Sequence, residues 1–165
     1  MTKFQTPTPQ INQPLPPFSL RAVLPDASET VLTNENFVGR RFVLFVYPKD
    51  ATSGCTIEVC GFRDLYEEFR VLDCEIVGLS RDGVAAHRKF IDTQKLPYAL
   101  MSDKEQTLLR SWNLISDATM YGKPVTKVSR DTLIADEHGT VRHILPKITP
   151  LGHAREVLKL VRALK

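Results

Sequence analysis

Hydrophobic positions along this chain follow two rhythms. Between Phe42 and Tyr47 they run unbroken (FVLFVY), the pattern of a strand buried on both faces, and Pro48 and Gly54 then force a turn. From Cys55 onward the period changes. Val59, Phe62, Tyr66 and Phe69 recur at spacings of three and four, which lines one side of a helix and leaves Cys55 on that side in the first turn. Glu75–Ser80 reads as a second buried strand followed by a helix from about Asp82 to Gln94. Ala99–Ser102 is a third short strand, and Glu105–Trp112 another helix. Upstream, Phe18–Leu24 and Thr30–Leu32 form a strand pair about the turn residues Pro25, Asp26 and Ser28, and residues 34–38 make one helical turn capped by Thr33 and ended by Gly39. Downstream, 115–128 reads as irregular, broken by Gly122 and Pro124. Thr132–Asp136 and Thr140–Leu145 flank Glu137-His138-Gly139 as a β-hairpin. Thr149 as cap and Pro150 at the first position predict a final helix with Leu151, Ala154, Leu158 and Val161 on its apolar side. Strands alternating with helices, then a hairpin and a terminal helix, specify an α/β fold with a mixed central sheet.

The N-terminal stretch departs from both rhythms. Residues 1–17 hold Pro7, Pro9, Pro14, Pro16 and Pro17 among Gln and Thr, so they read as an extended proline-rich arm, a free tail leading into a domain over 18–165. It has no apolar core and no cleavage pattern of a secretory signal, and no stretch approaches the length of a membrane span. At 165 residues, 42% hydrophobic and 25% charged, one domain has enough core to fold without covalent staples. The net charge of +3 is spread without a basic run, which gives nucleic-acid binding no support. Three cysteines are an odd number and argue against a disulfide-framed secreted fold, so the expected compartment is a reducing cytoplasm.

Candidate chemistry centres on Cys55. Where a strand hands over to a helix, a thiol sees unpaired backbone N–H groups and the positive end of the helix dipole, and both favour thiolate. An ordinary thiol is only about 3% ionised at pH 7. Lowering its pKa to roughly 6 raises that about thirtyfold, worth ~2 kcal/mol. A lower pKa also weakens the nucleophile, so donors must be aimed at the atoms that gain charge in the transition state. Thr52 can offer a hydroxyl from the same turn, the Gly54 and Cys55 amides can point into one pocket, and Pro48, which has no N–H, can shield the sulfur from water. Thiolate, hydroxyl, amides and a dry wall suit attack on a small O–O bond.

The run Pro48-Lys-Asp-Ala-Thr52-Ser-Gly-Cys55 resembles the proline–threonine–cysteine signature of the peroxiredoxins. The longer YPKDATSGCTIEVCGFRD is similar to their PrxQ, or bacterioferritin-comigratory-protein, branch. The likeness extends through SDKEQ (102–106), MYGK (120–123) and SRDTLIADEHG (129–139). The resemblance implies a thiol peroxidase on a thioredoxin-like fold, with Cys55 as peroxidatic cysteine. The family's active-site proline, threonine and arginine carry over to Pro48, Thr52 and Arg130, and its glutamate to Glu58, which would hold the guanidinium fork. The choice of Arg130 over Arg63 or Arg81 rests on that match alone. The branch usually has proline where Ser53 stands, and the substitution loosens the loop.

Cys60 lies five positions beyond Cys55. On an intact helix that is about 140° of rotation and about 7.5 Å of rise, so the Cα atoms are roughly 8–9 Å apart. A disulfide needs them within about 7 Å. If Cys60 resolves a sulfenic acid on Cys55, as the resemblance implies, the first turns must unwind in each cycle; the bland alternative is a small buried residue. Cys74 reads as core, with a backup resolving role as the sharper option. His87 shares a stripe with Val84 and Ile91 and reads as packing; His138, His143 and His153 show no pattern that places them near Cys55. Trp112 reads as core, although Phe45, Tyr47 and Trp112 could instead line the peroxide pocket. Zinc is disfavoured for want of ligand spacing, and no cofactor is expected. Arg155, Lys159, Arg162 and Lys165 form a solvated face. The expected activity is reduction of H₂O₂ and alkyl hydroperoxides by a monomer recycled by thioredoxin. A dithiol-disulfide oxidoreductase and a redox-sensing module are the alternatives.

Overall fold

The computed structural model describes residues 7–164; residues 1–6 of the predicted arm and Lys165 of the basic face lie outside the described residues. The buried FVLFVY run becomes β3 (Arg41–Val46), flanked in parallel by β4 (Cys74–Ser80) and antiparallel by β8 (Thr132–Ala135). With β1 (Ser19–Val23), β2 (Glu29–Thr33), β5 (Ala99–Ser102) and β9 (Val141–Leu145) it forms a seven-stranded mixed sheet in the order β2-β1-β5-β4-β3-β8-β9. Helices α1 (Ser53–Val71) and α4 (His153–Arg162) pack against each other, with Gly61 lying beside Ala154. On their side of the sheet Val43, Phe45 and Tyr47 meet Val59, Phe62 and Phe69 of α1, and Phe90 and Ile91 of α2 (Val84–Gln94). The alternate residues Phe42, Leu44 and Val46 enter a second core with Phe18, Phe37 and Trp112, beside the short α3 (Thr107–Ser111). The single run of six apolar residues therefore supplies both cores, which is why it carries no polar position.

Three expectations need correction. Residues 115–128 are an ordered two-stranded hairpin, β6 (Ile115–Met120) with β7 (Lys123–Val128). Tyr121 (φ +52°) and Gly122 (φ +75°) form a tight two-residue turn that needs two positive φ values, so the glycine joins the strands rather than breaking them. Pro124 is tolerated because a two-stranded ribbon consists of edges.

The last helix starts at His153, three residues later than predicted, with left-handed Gly152 at its N-cap; Leu151 is exposed, and Ala154, Val157, Leu158 and Val161 face the core.

The arm is not a free tail over its described length. Asn12 N–H donates to Val141 O (2.8 Å), Val141 N–H to Gln13 O (2.9 Å) and Leu15 N–H to Gly139 O (2.8 Å), and Leu15 is buried. Proline content forbids a helix here, but it does not forbid an extended segment from docking along an edge.

Candidate active site

The loop between β3 and α1 is fixed from below by buried polar groups. Tyr47 Oη donates to Asp50 Oδ1 (2.6 Å), Asp50 Oδ2 meets His87 Nδ1 (2.6 Å), and His87 Nε2 meets Met101 O (2.9 Å). His87 has no exposed surface, so the packing reading holds, and its two ring nitrogens also tie the loop to α2 and β5. Asp50 N–H in turn donates to Asp82 Oδ2 (3.0 Å). The loop climbs over Pro48, passes Ala51 at φ +62°, and delivers Thr52 as N-cap of α1.

Thr52 does not cap α1 with its side chain. Its hydroxyl donates to Lys49 O (2.9 Å), and its carbonyl accepts both the backbone N–H (2.9 Å) and the hydroxyl (2.7 Å) of Thr56. The amides of the first turn therefore have no side-chain cap, and the Thr52 hydroxyl, its one proton already given, can only accept a further bond. Cys55 follows in that first turn, fully buried.

Arg130, on the segment between β7 and β8, reaches over this turn. A Cβ on Gly54 would lie 2.9 Å from Arg130 Nη2 and 3.7 Å from Pro150 Cγ, so the glycine, next to Cys55 in the chain, makes room for the guanidinium. The main chain of Arg130 is held by Ile148 N–H (2.8 Å). One turn along α1, Glu58 Oε1 accepts from Arg130 Nη1 at 3.5 Å, while Glu58 Oε2 is buried without a partner among the described residues. Burial pushes the Glu58 carboxyl up to about 8 against the opposing pull of Arg130. Burial thus favours the protonated form of Glu58, and Arg130 favours the ionised one.

The competing arginines go elsewhere. Arg63 Nη1 donates to Gln94 O (2.8 Å), and Arg81 holds the β6–β7 hairpin through Thr126 Oγ1 (2.6 Å). Thr52, Cys55 and Glu58 lie in the first turns of α1, Arg130 reaches Gly54 and Glu58 there, and Pro48 stands in the loop before them. Cys60 faces away from them, toward the C-terminal end of α2, where its thiol donates to Gln94 Oε1 (3.3 Å). All three cysteines are free, and α1 is helical across both Cys55 and Cys60.

A domain profile described as the AhpC/TSA family matches residues 11–144. The chain belongs to this family. It is 34% identical over 149 residues to a Coxiella burnetii protein named putative peroxiredoxin bcp, covering 90% of this chain and 96% of that one. It is likewise 34% identical over 155 residues to peroxiredoxin Bcp of Bacillus subtilis, covering 94% and 96%. A solved structure of Xanthomonas campestris bacterioferritin comigratory protein superposes with a TM-score of 0.77 at 34% identity, over 87% of this chain and 90% of that one. A Xylella fastidiosa PrxQ mutant structure gives 0.81 at 26% identity over 99% and 98%. The fold is the thioredoxin-like fold of these peroxiredoxins, and the chain falls in their Bcp/PrxQ branch.

Several site residues of this peroxiredoxin are not marked by local sequence. Asp50 lies inside the motif but is silent without its partner His87, 37 residues away. His153, which showed no pattern, is buried; its Nε2 meets Thr132 Oγ1 (2.8 Å), its ring stands edge-on to Phe62, and burial lowers its pKa. Phe45 stacks on Phe62, and Trp112 sits in the second core. Cys74 is core: burial pushes its thiol up to about 12. A cleft of about 510 Å³ is lined by the apolar Leu114, Ile115, Val128 and Ile148 together with Lys127, Lys147 and Arg130. Cys55 is not part of its wall; Arg130, which also reaches Gly54, is.

Proposed function

We propose that Cys55 is the peroxidatic sulfur of this thiol peroxidase, Cys60 its resolving partner, and Pro48, Thr52, Glu58 and Arg130 the residues that position and stabilise the reacting peroxide. The observation that carries this reading is the guanidinium of Arg130 lying over Gly54 beside Cys55, above helix amides that have no side-chain cap. The Cys55 thiolate attacks the terminal oxygen of ROOH. The S–O bond forms as the O–O bond breaks, and the departing RO⁻ takes up a proton to leave as ROH. Arg130 and the free amides face the oxygen that gains charge, while the Thr52 oxygen accepts the O–H of the peroxide. Glu58 steadies Arg130 through its Oε1.

The sulfenic acid on Cys55 then condenses with the Cys60 thiol, forming the S–S bond and releasing water. A dithiol donor reduces that disulfide by exchange and leaves oxidised. Thioredoxin is our candidate donor and a reducing cytoplasm our candidate compartment, because the cycle consumes dithiol equivalents. The Xanthomonas relative's structure is described in terms of alkyl peroxide reduction. The apolar Leu114, Ile115, Val128 and Ile148, which line the same cleft as Arg130, fit the carbon tail of such a substrate. Both cysteines lie in one chain, so a monomer suffices, with 18–165 as the catalytic domain and 1–17 as its arm.

The test is peroxide consumption coupled to thioredoxin and its reductase. Cys55→Ser should abolish turnover. Cys60→Ser should consume one equivalent and stall as sulfenic acid. A Cys60→Ser enzyme that cycles normally on thioredoxin would remove Cys60 from the scheme.

A further inference from the structure

Cys60 has to reach Cys55, yet the structure fastens it in another direction. Tyr98, fully buried just before β5, donates its hydroxyl to Val59 O (2.5 Å). The next residue, Cys60, donates its thiol to Gln94 Oε1 (3.3 Å). One turn on, Arg63 Nη1 donates to Gln94 O (2.8 Å). Three bonds from one stretch of α1 thus end on two residues, Gln94 at the close of α2 and Tyr98 just beyond it, and between them Lys95 caps that helix in the left-handed conformation (φ +55°).

We propose that Tyr98 and Gln94 are positioning residues that clamp the resolving turn and set how long oxidised Cys55 waits for Cys60. They would thereby govern the split between disulfide formation and over-oxidation. The inference rests on the resolving role assigned to Cys60 above.

The argument is one of geometry and of unpaired groups. Bringing two Cα atoms from roughly 8–9 Å to within 7 Å requires the backbone between Cys55 and Cys60 to leave the helix. Val59, whose carbonyl Tyr98 holds, lies in that span. Inside α1 this carbonyl has its ordinary partner, so the Tyr98 hydroxyl is an additional donor that the helix does not need. The phenol itself does need the bond. Its ring lies among those of Phe45 (5.8 Å) and Tyr66 (6.1 Å), and unwinding α1 leaves its buried O–H without an acceptor. The Gln94 contact acts on the sulfur directly, because an S–H donor bond holds Cys60 as a thiol turned from Cys55. Burial, only partly offset by Arg63, raises its pKa in the same sense. Leaving the helix frees Cys60 from both restraints when its thiolate is required.

The experiment is a rapid-quench time course on the reduced full-length chain mixed with one equivalent of H₂O₂. Thiols are alkylated, and the sulfenic, disulfide and sulfinic forms are resolved by mass. In Tyr98→Phe, which keeps the ring and removes the bond, disulfide formation should be roughly five- to tenfold faster than in the wild type. Formation of the sulfenic acid should be unchanged, and less sulfinic acid should accumulate under excess peroxide. Gln94→Leu should accelerate the same step about two- to threefold, and it carries the test if Tyr98→Phe fails to fold. An unchanged or slower disulfide step in both variants, or an equal change in the first step, overturns the clamp. Cys60→Ser run alongside separates the two readings. If it stalls at sulfenic acid while Tyr98→Phe matches the wild type, the clamp alone is wrong; if it still closes a disulfide, the resolving role fails first.

Discussion

The turn of α1 that carries Cys55 and the turn that carries Cys60 belong to one helix and are fastened by different means. The first has no side-chain cap, because Thr52 turns its hydroxyl back to Lys49, and it is overlaid by one guanidinium whose contact with Glu58 is long, at 3.5 Å. The second is held by a 2.5 Å hydroxyl–carbonyl bond, a thiol–amide bond and an arginine–carbonyl bond, all reaching the end of α2. A missing cap costs a helix start about 0.5–2 kcal/mol and leaves amides open to a ligand. Sulfur chemistry thus occupies the end that is intrinsically easy to fray, while the restraint on its partner is placed one turn further in.

Substitutions that weaken or reinforce the first turn sharpen this contrast. The largest effect is expected from Arg130→Ala, which removes the charge beside Cys55. The rate of sulfenic acid formation should fall by about 10²–10³ with little change in the disulfide step, as read by rapid quench. Gly54→Ala is next. Its Cβ meets the far end of a flexible side chain rather than backbone, so the guanidinium must shift, and the same rate should drop about tenfold with a small loss of stability.

Glu58→Gln tests the buried carboxyl. Its pKa is raised in the folded protein, to about 8 from 4.5, so the stability it contributes is fully present below about 4.5 and is lost as pH rises toward 8. Stability of the wild type relative to Glu58→Gln should therefore fall by about 1.4 kcal/mol per pH unit inside that window and level off above it, measured by urea denaturation at several pH values. The smallest effect is expected from Ser53→Pro. Proline suits the first helical position, so stability should rise by about 0.4–1 kcal/mol and the disulfide step should slow by a few fold.

The legible parts of the fold and site were those whose signal is local. The unbroken run 42–47, the three-and-four spacing after Cys55 and the motif from Pro48 to Cys55 each carry their meaning within a few residues. Residues 115–128 were misread because glycine and proline punctuate both loops and tight hairpins, and only φ at Tyr121 tells them apart. The start of α4 was set too early because Thr149-Pro150 imitates a cap that Gly152 supplies. His87 was visible as a member of a buried stripe, but its bond to Asp50 was not, and Tyr98 and Gln94 gave no hint of Cys60. Those pairs are brought together by the crossover from α1 through β4 and α2 to β5, at separations of 34–39 residues.

The docked arm has a consequence for how the sheet ends. A strand at the margin of a sheet offers unsatisfied main-chain groups on which a stranger's chain can polymerise. Here residues 12–15 cover the start of β9, giving Val141 the N–H of Asn12 and the carbonyl of Gln13, and Leu15 N–H covers Gly139 in the turn before it. Pro14, Pro16 and Pro17 have no N–H to present outward. The proline-rich segment therefore covers the beginning of one margin of the sheet with few donors of its own left to offer.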